Sequence, residues 1–248
     1  MTYADWEAED RLPGSREDFL AIEAKFLNGN PWLRDCFDFA ALAGRDVLEI
    51  GCGSGAASCL LAKSGARVTA VDITETAVEM ARRNAEAQGV ALQARQEDAE
   101  RLSFGDESFD FVFSWGVLHH SSNPDAAYRE VARVLRPGGR GLLMVYNRDS
   151  LRYHLRGWQW LLLKGKLFSG DSLSSVQRHF TDGYFHRHYS PSGFVTALSA
   201  AGLETQATAV THMGKPLLRL LPRRLDDMLK ARAGWLLVAE VRRPAAAE

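Results

Sequence analysis

Val47-Leu48-Glu49-Ile50-Gly51-Cys52-Gly53-Ser54-Gly55 is the stretch on which the reading of this chain turns. Four residues of a buried strand run into three glycines spaced two apart, and a helix-forming run follows over Ser54–Ser64. A strand that enters a helix through bare backbone brings N–H groups close to a ligand with no Cβ in the way. Taken alone, Gly51-x-Gly53-x-x-Ala56 also fits a dinucleotide fingerprint. Asp72 stands at the end of the next predicted strand, Arg67–Asp72, about twenty residues on, where a carboxylate can accept both hydroxyls of a ribose. Asp72 and Thr74 also suit the N-cap of the helix that follows, so the acid has a structural reading beside the functional one.

Outward from this passage, short apolar runs alternate with helix-like stretches, the rhythm of an α/β sheet. The pattern predicts a helix over Glu75–Gln88, strands at Val90–Gln96 and Phe109–Ser114, a helix over Asn123–Leu135 with Pro124 in its first turn, and a fifth strand at Leu142–Tyr146 after a break at Gly138–Gly139. The rhythm lapses over Arg148–Tyr189. It resumes with a helix at Pro191–Ala201 and strands near Thr205–Thr211 and Trp235–Val241. The lapse is rich in Trp, Tyr, Phe and His, which favours a folded lid over a tether. The expected organisation is an N-terminal helical cap (1–44), a ligand-binding core (45–147), an aromatic-rich lid (148–189) and a C-terminal completion of the sheet (190–248).

The 248 residues are 46% hydrophobic and 25% charged, which excludes a disordered or fibrous chain. Three cysteines, Cys36, Cys52 and Cys59, support neither a disulfide framework nor a zinc site. The acidic N-terminus lacks a signal-peptide pattern, and no apolar run approaches the ~18–20 residues that span a bilayer, so a cytoplasmic protein is expected. The net charge of −1 divides unevenly: the balance is −10 over residues 1–135 and +9 over 136–248. Such a gradient can draw an anionic substrate or lipid surface to one side; it also suits two complementary parts packing together.

Glu49 two residues before the first glycine, and Asp98-Ala99-Glu100-x-Leu102-x-Phe104 after the third strand, separate this pattern from a nicotinamide site. With its VLEIGCGSG, VDIT, EDAERLSF, FDFVFSWGVLHH and LRPGG blocks in this order over 45–146, the chain resembles the class I methyltransferases that use S-adenosylmethionine (SAM). The resemblance implies a Rossmann-like, seven-stranded, mostly parallel sheet with helices on both faces. It implies that Gly51, Gly53 and Gly55 line the methionine and ribose part of SAM, with Glu49 supporting the loop and the amino group. Asp72 would hold the ribose diol, Ile73 lie against adenine, Asp98 accept from the adenine amino group, and the Ala99 N–H bond a ring nitrogen. Ser114 and Trp115 would approach the methionine end, as would His119 or His120, a pair that in this subgroup often shapes the pocket without doing chemistry.

The chemistry needs a nucleophile held in line with the sulfur–methyl bond and a place for its proton. Tyr146 and Asn147 stand at the end of the fifth strand, and aromatic faces from the lid or from Tyr3 and Trp6 can hold a sulfonium; filling the lid's own core is an equal reading. His186-x-His188 lacks a third metal ligand, and no metal is expected. Leu151–Phe168 mixes Trp and Leu with Arg and Lys; it reads as a helix packed on the pocket, with an amphipathic helix at a membrane surface as the alternative. Three activities remain open. The first is methyl transfer to a small molecule. The second is SAM cyclisation, in which the α-amine attacks its own γ-carbon and releases methylthioadenosine, with Asn147, Tyr184 or Thr211 on the amine. The third is SAM binding without catalysis. Nucleic acid is disfavoured, because no Asn/Asp-Pro-Pro-aromatic tetrapeptide and no binding module occurs. Oligomeric state is open.

Overall fold

The computed structural model describes residues 13–173, 175–176, 187–212 and 222–245. Ser15 opens the first helix, α1 (Arg16–Gly29), through a reciprocal capping box with Asp18. Pro31, fixed at a helical φ, starts the short α2 (Pro31–Cys36). The α/β alternation then follows: β1 (Asp46–Ile50), α3 (Ala56–Lys63), β2 (Arg67–Asp72), α4 (Glu75–Gln88), β3 (Leu92–Gln96), β4 (Phe109–Trp115), α5 (Pro124–Val134) and β5 (Leu135–Tyr146). After the lid come α7 (Pro191–Ala200), β6 (Glu204–Thr211), α8 (Arg223–Ala233) and β7 (Leu236–Arg242), with α6 (Leu151–Trp158) opening the lid itself.

These strands make one seven-stranded sheet in the order β3-β2-β1-β4-β5-β7-β6. β1 to β5 run parallel to one another, whereas β7 runs antiparallel to both β5 and β6 and is the one reversed strand. Period-2 alternation divides the core. Leu48, Val112, Leu143 and Val145 face Tyr128, Val131, Phe194 and Leu198 of α5 and α7. Val47, Phe111, Phe113, Leu142 and Met144 face Leu33, Ala57 and Leu61 on the other side. Both faces are covered, so the central strands read as continuous apolar runs.

Three sequence boundaries move. α3 begins at Ala56 because Gly55 is left-handed at its N-cap. β3 begins at Leu92 because the Val90 N–H donates back to Ala85 O behind the left-handed Gly89. The expected break at Gly138–Gly139 lies inside β5. Leu135 already pairs with Phe109, and the next pair is Arg140 with Phe111, so the Pro-Gly-Gly stretch is a bulge that Arg243 stitches through Gly138 N–H and Gly139 O.

The lid differs most. Leu151–Phe168 is not one helix. Ser150 caps α6, a wider π turn follows over Gln159–Leu163, Gly165 turns left-handed, and a 3-10 turn covers Lys166–Ser169. The wider turn keeps Leu161 buried while Leu162 and Leu163 stand exposed.

Candidate functional site

The loops that carry the glycines, Asp72, Asp98 and the histidine pair leave the carboxyl edge of the parallel strands, where α/β sheets bind ligands. Between β1 and α3 the backbone folds back on β2: Gly51 and Cys52 both donate to Val71 O, at 2.7 and 2.9 Å. Gly51 sits at φ +81°, and a Cβ there would stand 2.1 Å from Val117 Cγ2. Gly51→Ala is therefore expected to destabilise the fold by about 2 kcal/mol, read from urea unfolding, with partial recovery when Val117→Ala is added.

Asp72 ends β2 half-buried, and its two oxygens are placed by the chain: Oδ2 accepts the Gly53 N–H at 3.1 Å, while Oδ1 accepts the Thr74 N–H and hydroxyl at 3.0 Å each. It thus draws the glycine loop and the start of α4 together. Thr74, not Asp72, caps α4. Ile73 beside it is 65% exposed, an apolar plate with nothing packed on it to bury it. Asp98 follows β3, with Oδ1 accepting the Glu100 N–H at 2.8 Å. The Ala99 N–H meets no acceptor among the described residues. Gly51, Asp72, Ile73, Asp98, Ala99 and His120 all line one cavity of about 360 Å³. A second hollow of about 510 Å³ lies at the opposite, amino edge, where Arg136 is occupied by Asp46 and Asp110 at 3.0 and 2.7 Å.

Glu49 is buried with its carboxyl on the Ser58 hydroxyl. Burial raises it to about 8, against the pull of Ser58 and with Asp72 adding to the rise. The Cys52 thiol is pushed up by burial, and burial lifts Cys59 to about 12, so neither is poised as a nucleophile.

Beyond the cavity lies a cluster of rings. His119 sits 4.2 Å from His120 and 4.1 Å from Tyr146; Tyr146 sits 4.7 Å from Trp235, and His188 5.0 Å from Trp235 and 4.9 Å from Tyr153. His120, Tyr146 and His188 are half-buried, whereas His119 is fully buried. Arg152 lies over Trp235 at 4.9 Å.

Several of the predicted site residues have partners within the protein. Ser114 is buried and donates to Ile50 O at 3.0 Å, fastening β4 to β1. Trp115 turns to the N-terminal cap: its Nε1 donates to Asn30 Oδ1 at 3.0 Å, and its ring stacks with Trp32. Gly55 serves packing, since a Cβ there would meet Ala81 Cα at 2.8 Å. Asn147 is a buried joint, its amide donating to Gly234 O and its oxygen accepting the Asp149 N–H. Of the histidine pair, His120 alone lines the cavity. Tyr184, Tyr3, Trp6 and His186 lie outside the described residues. Sequence reasoning missed Glu100 as a pin: it accepts from Ser121, Ser122 and the Asn123 N–H, tying the loop after β3 to the one after β4. It also missed Trp235, which carries no local motif, and weighed His188 only as a metal ligand, not as a member of the ring cluster.

A family described as Methyltransferase domain matches residues 48–143. The matched stretch runs from β1 into β5 and holds the glycine loop, Asp72 and Asp98. A ubiquinone biosynthesis O-methyltransferase from Maricaulis maris is 33% identical over 167 residues, covering 66% of this chain and 61% of the relative. Relatives of the same description from Coxiella burnetii are 34% identical and covered over 48% of their length, so the chain spans about half to three-fifths of the relatives it matches. The solved SAM-dependent methyltransferase from Mesorhizobium loti superposes with a TM-score of 0.62 at 19% identity, covering 87% of this chain and 98% of that one. A methyltransferase solved with the Trm112 activator of Haloferax volcanii gives 0.64 at 19% identity, covering 94% and 96%. At that identity the likeness is one of fold.

The sequence pattern implies SAM as cofactor, and the donor set suits it. Asp72 and Asp98 at the cavity wall present carboxylates that would suit a diol and an amino group, the Ala99 N–H meets no acceptor among the described residues, and Ile73 offers an apolar plate that would suit a purine. Nothing lies within 4 Å of where a Gly53 Cβ would stand, which leaves the loop open beside Asp72. Among the described residues no three His, Cys, Asp or Glu side chains gather as a metal site, and no helix is long and apolar enough to cross a membrane.

Proposed function

We propose that this chain is a SAM-dependent methyltransferase acting on a small-molecule nucleophile in a reducing, cytoplasmic setting, with 148–189 as a lid over the acceptor side. The observation that carries this is the convergence of Asp72, Asp98 and His120 on one cavity, with the His120 ring 5.7 Å from that of Tyr146. SAM, when bound, supplies a methyl on a sulfonium whose thioether leaves without acid assistance. Asp72 would accept the ribose hydroxyls while holding Gly53, Asp98 would accept the adenine amino hydrogen, and Ala99 would donate to the ring. Gly51 would let the loop approach the methionine part, and Glu49 would support its charge. His120 and Tyr146 would face the acceptor; the His120 imidazole is a group suited to receive the proton of a hydroxyl, and both rings offer faces to positive charge. The named relatives modify oxygen in making a quinone, which makes a phenolic hydroxyl the acceptor to try first.

Cyclisation of SAM needs polar groups on its amine. Asn147 is committed to Gly234 and Asp149, so the methyl-transfer reading is the better supported. Incubation with SAM and a catechol acceptor is expected to yield S-adenosylhomocysteine and a methoxyphenol by mass spectrometry. Methylthioadenosine formed from SAM alone at an enzymatic rate would overturn this reading in favour of cyclisation.

A further inference from the structure

An ordinary surface helix hides its apolar stripe and shows a polar one. The lid breaks that rule on both sides. Tyr153, Gly157 and Leu161 face inward and are buried, yet Leu155, Trp158 and Leu162, spaced three and four apart, face outward and are exposed. Leu163 at 79% and Phe168 at 92% exposure extend that face beyond the helix, together with Leu167. Six large apolar side chains in eighteen residues, left in solvent, are more than scattered surface hydrophobics.

Charge says what covers them. Between Ser150 and Gly170 there are four cations, Arg152, Arg156, Lys164 and Lys166, and no carboxylate. Among the described residues no acid pairs with Arg156, Lys164 or Lys166. A protein partner of the same kind would need a matching acidic and apolar face, whereas residues 1–135, which hold this chain's acidic excess, expose no comparable apolar run: Ile73 is their one large hydrophobic exposed among the described residues. Trp and Phe at the tip with Lys alongside is the composition of a segment that sits at the boundary of headgroups and acyl chains.

We infer that the outward lid face of Leu155, Trp158, Leu162, Leu163, Leu167 and Phe168 docks onto an anionic lipid bilayer, its apolar side chains entering the headgroup boundary and Arg156, Lys164 and Lys166 meeting lipid phosphates. The docking is peripheral, since no described helix is long enough to span. α6 begins five residues after Tyr146, so the face is tethered to the strand end that carries the ring cluster. This inference does not depend on which reaction the domain performs.

Full-length protein is spun with vesicles of phosphatidylcholine alone and of phosphatidylcholine containing phosphatidylglycerol. The expected result is sedimentation with the second only, weakened by salt. It should fall by roughly tenfold or more in Leu163→Ser/Phe168→Ser and in Lys164→Glu/Lys166→Glu. All four residues lie outside the SAM cavity, so SAM titration and melting temperature check the fold, and the lysine variant decides should the apolar one melt early. Three outcomes overturn the inference: no sedimentation of the native chain with anionic vesicles, equal sedimentation of native and variant chains, or a native dimer that the apolar variant converts to monomer without any vesicle binding.

Discussion

Replacing Asp72 with alanine is expected to weaken SAM binding by about 30- to 100-fold, roughly 2–3 kcal/mol, the scale for hydrogen bonds to a charged, partly buried group. The effect is large because one carboxylate serves three partners inside the protein as well as the ligand. Without it the Gly53 N–H loses its acceptor, and the start of α4 loses the bonds through Thr74. The glycine loop then has to be ordered by the ligand, and that ordering is subtracted from binding. Asp98→Ala should cost less, about tenfold, since Asp98 is exposed and one of its oxygens is already taken by the Glu100 N–H. Calorimetric titration of both variants is the measurement. Affinity within about threefold of native in Asp72→Ala would remove the diol-binding role.

The reason Asp72 could be picked from sequence is also the reason other residues could not. β2 and α4 are legible to the residue because strand, acid, cap and amphipathic helix follow one another locally, each with its own periodic or capping signal. The glycine loop, Asp72 and Asp98 belong to consecutive strand ends, and parallel topology alone brings such ends to one edge. Ser114 and Asn147 sit at strand ends too, but whether a polar side chain there meets a ligand or a neighbouring carbonyl depends on which strand lies beside it. β1 beside β4 gives Ser114 the Ile50 carbonyl; the turn into β7, nearly ninety residues on, gives Asn147 the Gly234 carbonyl. No local pattern carries that information. The start of β5 was hidden for a different reason: Pro-Gly-Gly is a turn signal, and only the strap through Arg243 turns it into a bulge within the strand. The ring cluster draws on β5, the lid and the segment before β7, so its members share no spacing at all.

Glu49 leads to the second large effect, a proton released when SAM binds. The group is buried, Ser58 meets it through its hydroxyl and its backbone, its charged neighbour is the acidic Asp72, and the nearby Cys52 thiol stays protonated. With a value raised to about 8, it holds its proton at pH 7 in the ligand-free protein. A sulfonium and an ammonium brought to the adjoining loop favour the carboxylate. Affinity should therefore rise with pH from about 6 to 8, by up to about tenfold per unit. Folding shows the opposite sign. A carboxyl raised on folding contributes stability that is complete below its ordinary value near 4.5 and is lost as pH climbs through about 8, so ligand-free protein should melt progressively earlier over that window. Glu49→Gln keeps a neutral side chain at every pH. It should flatten the melting trend and bind SAM within about twofold of native at pH 6 but about fiftyfold more weakly at pH 8. Titration at pH 7 in phosphate and in Tris counts protons through the difference in heat, and the gap between native and variant cancels the ligand's own amine. That gap is expected to approach one proton; a gap of zero with a flat affinity profile would mean that Glu49 does not change charge when the loop is filled.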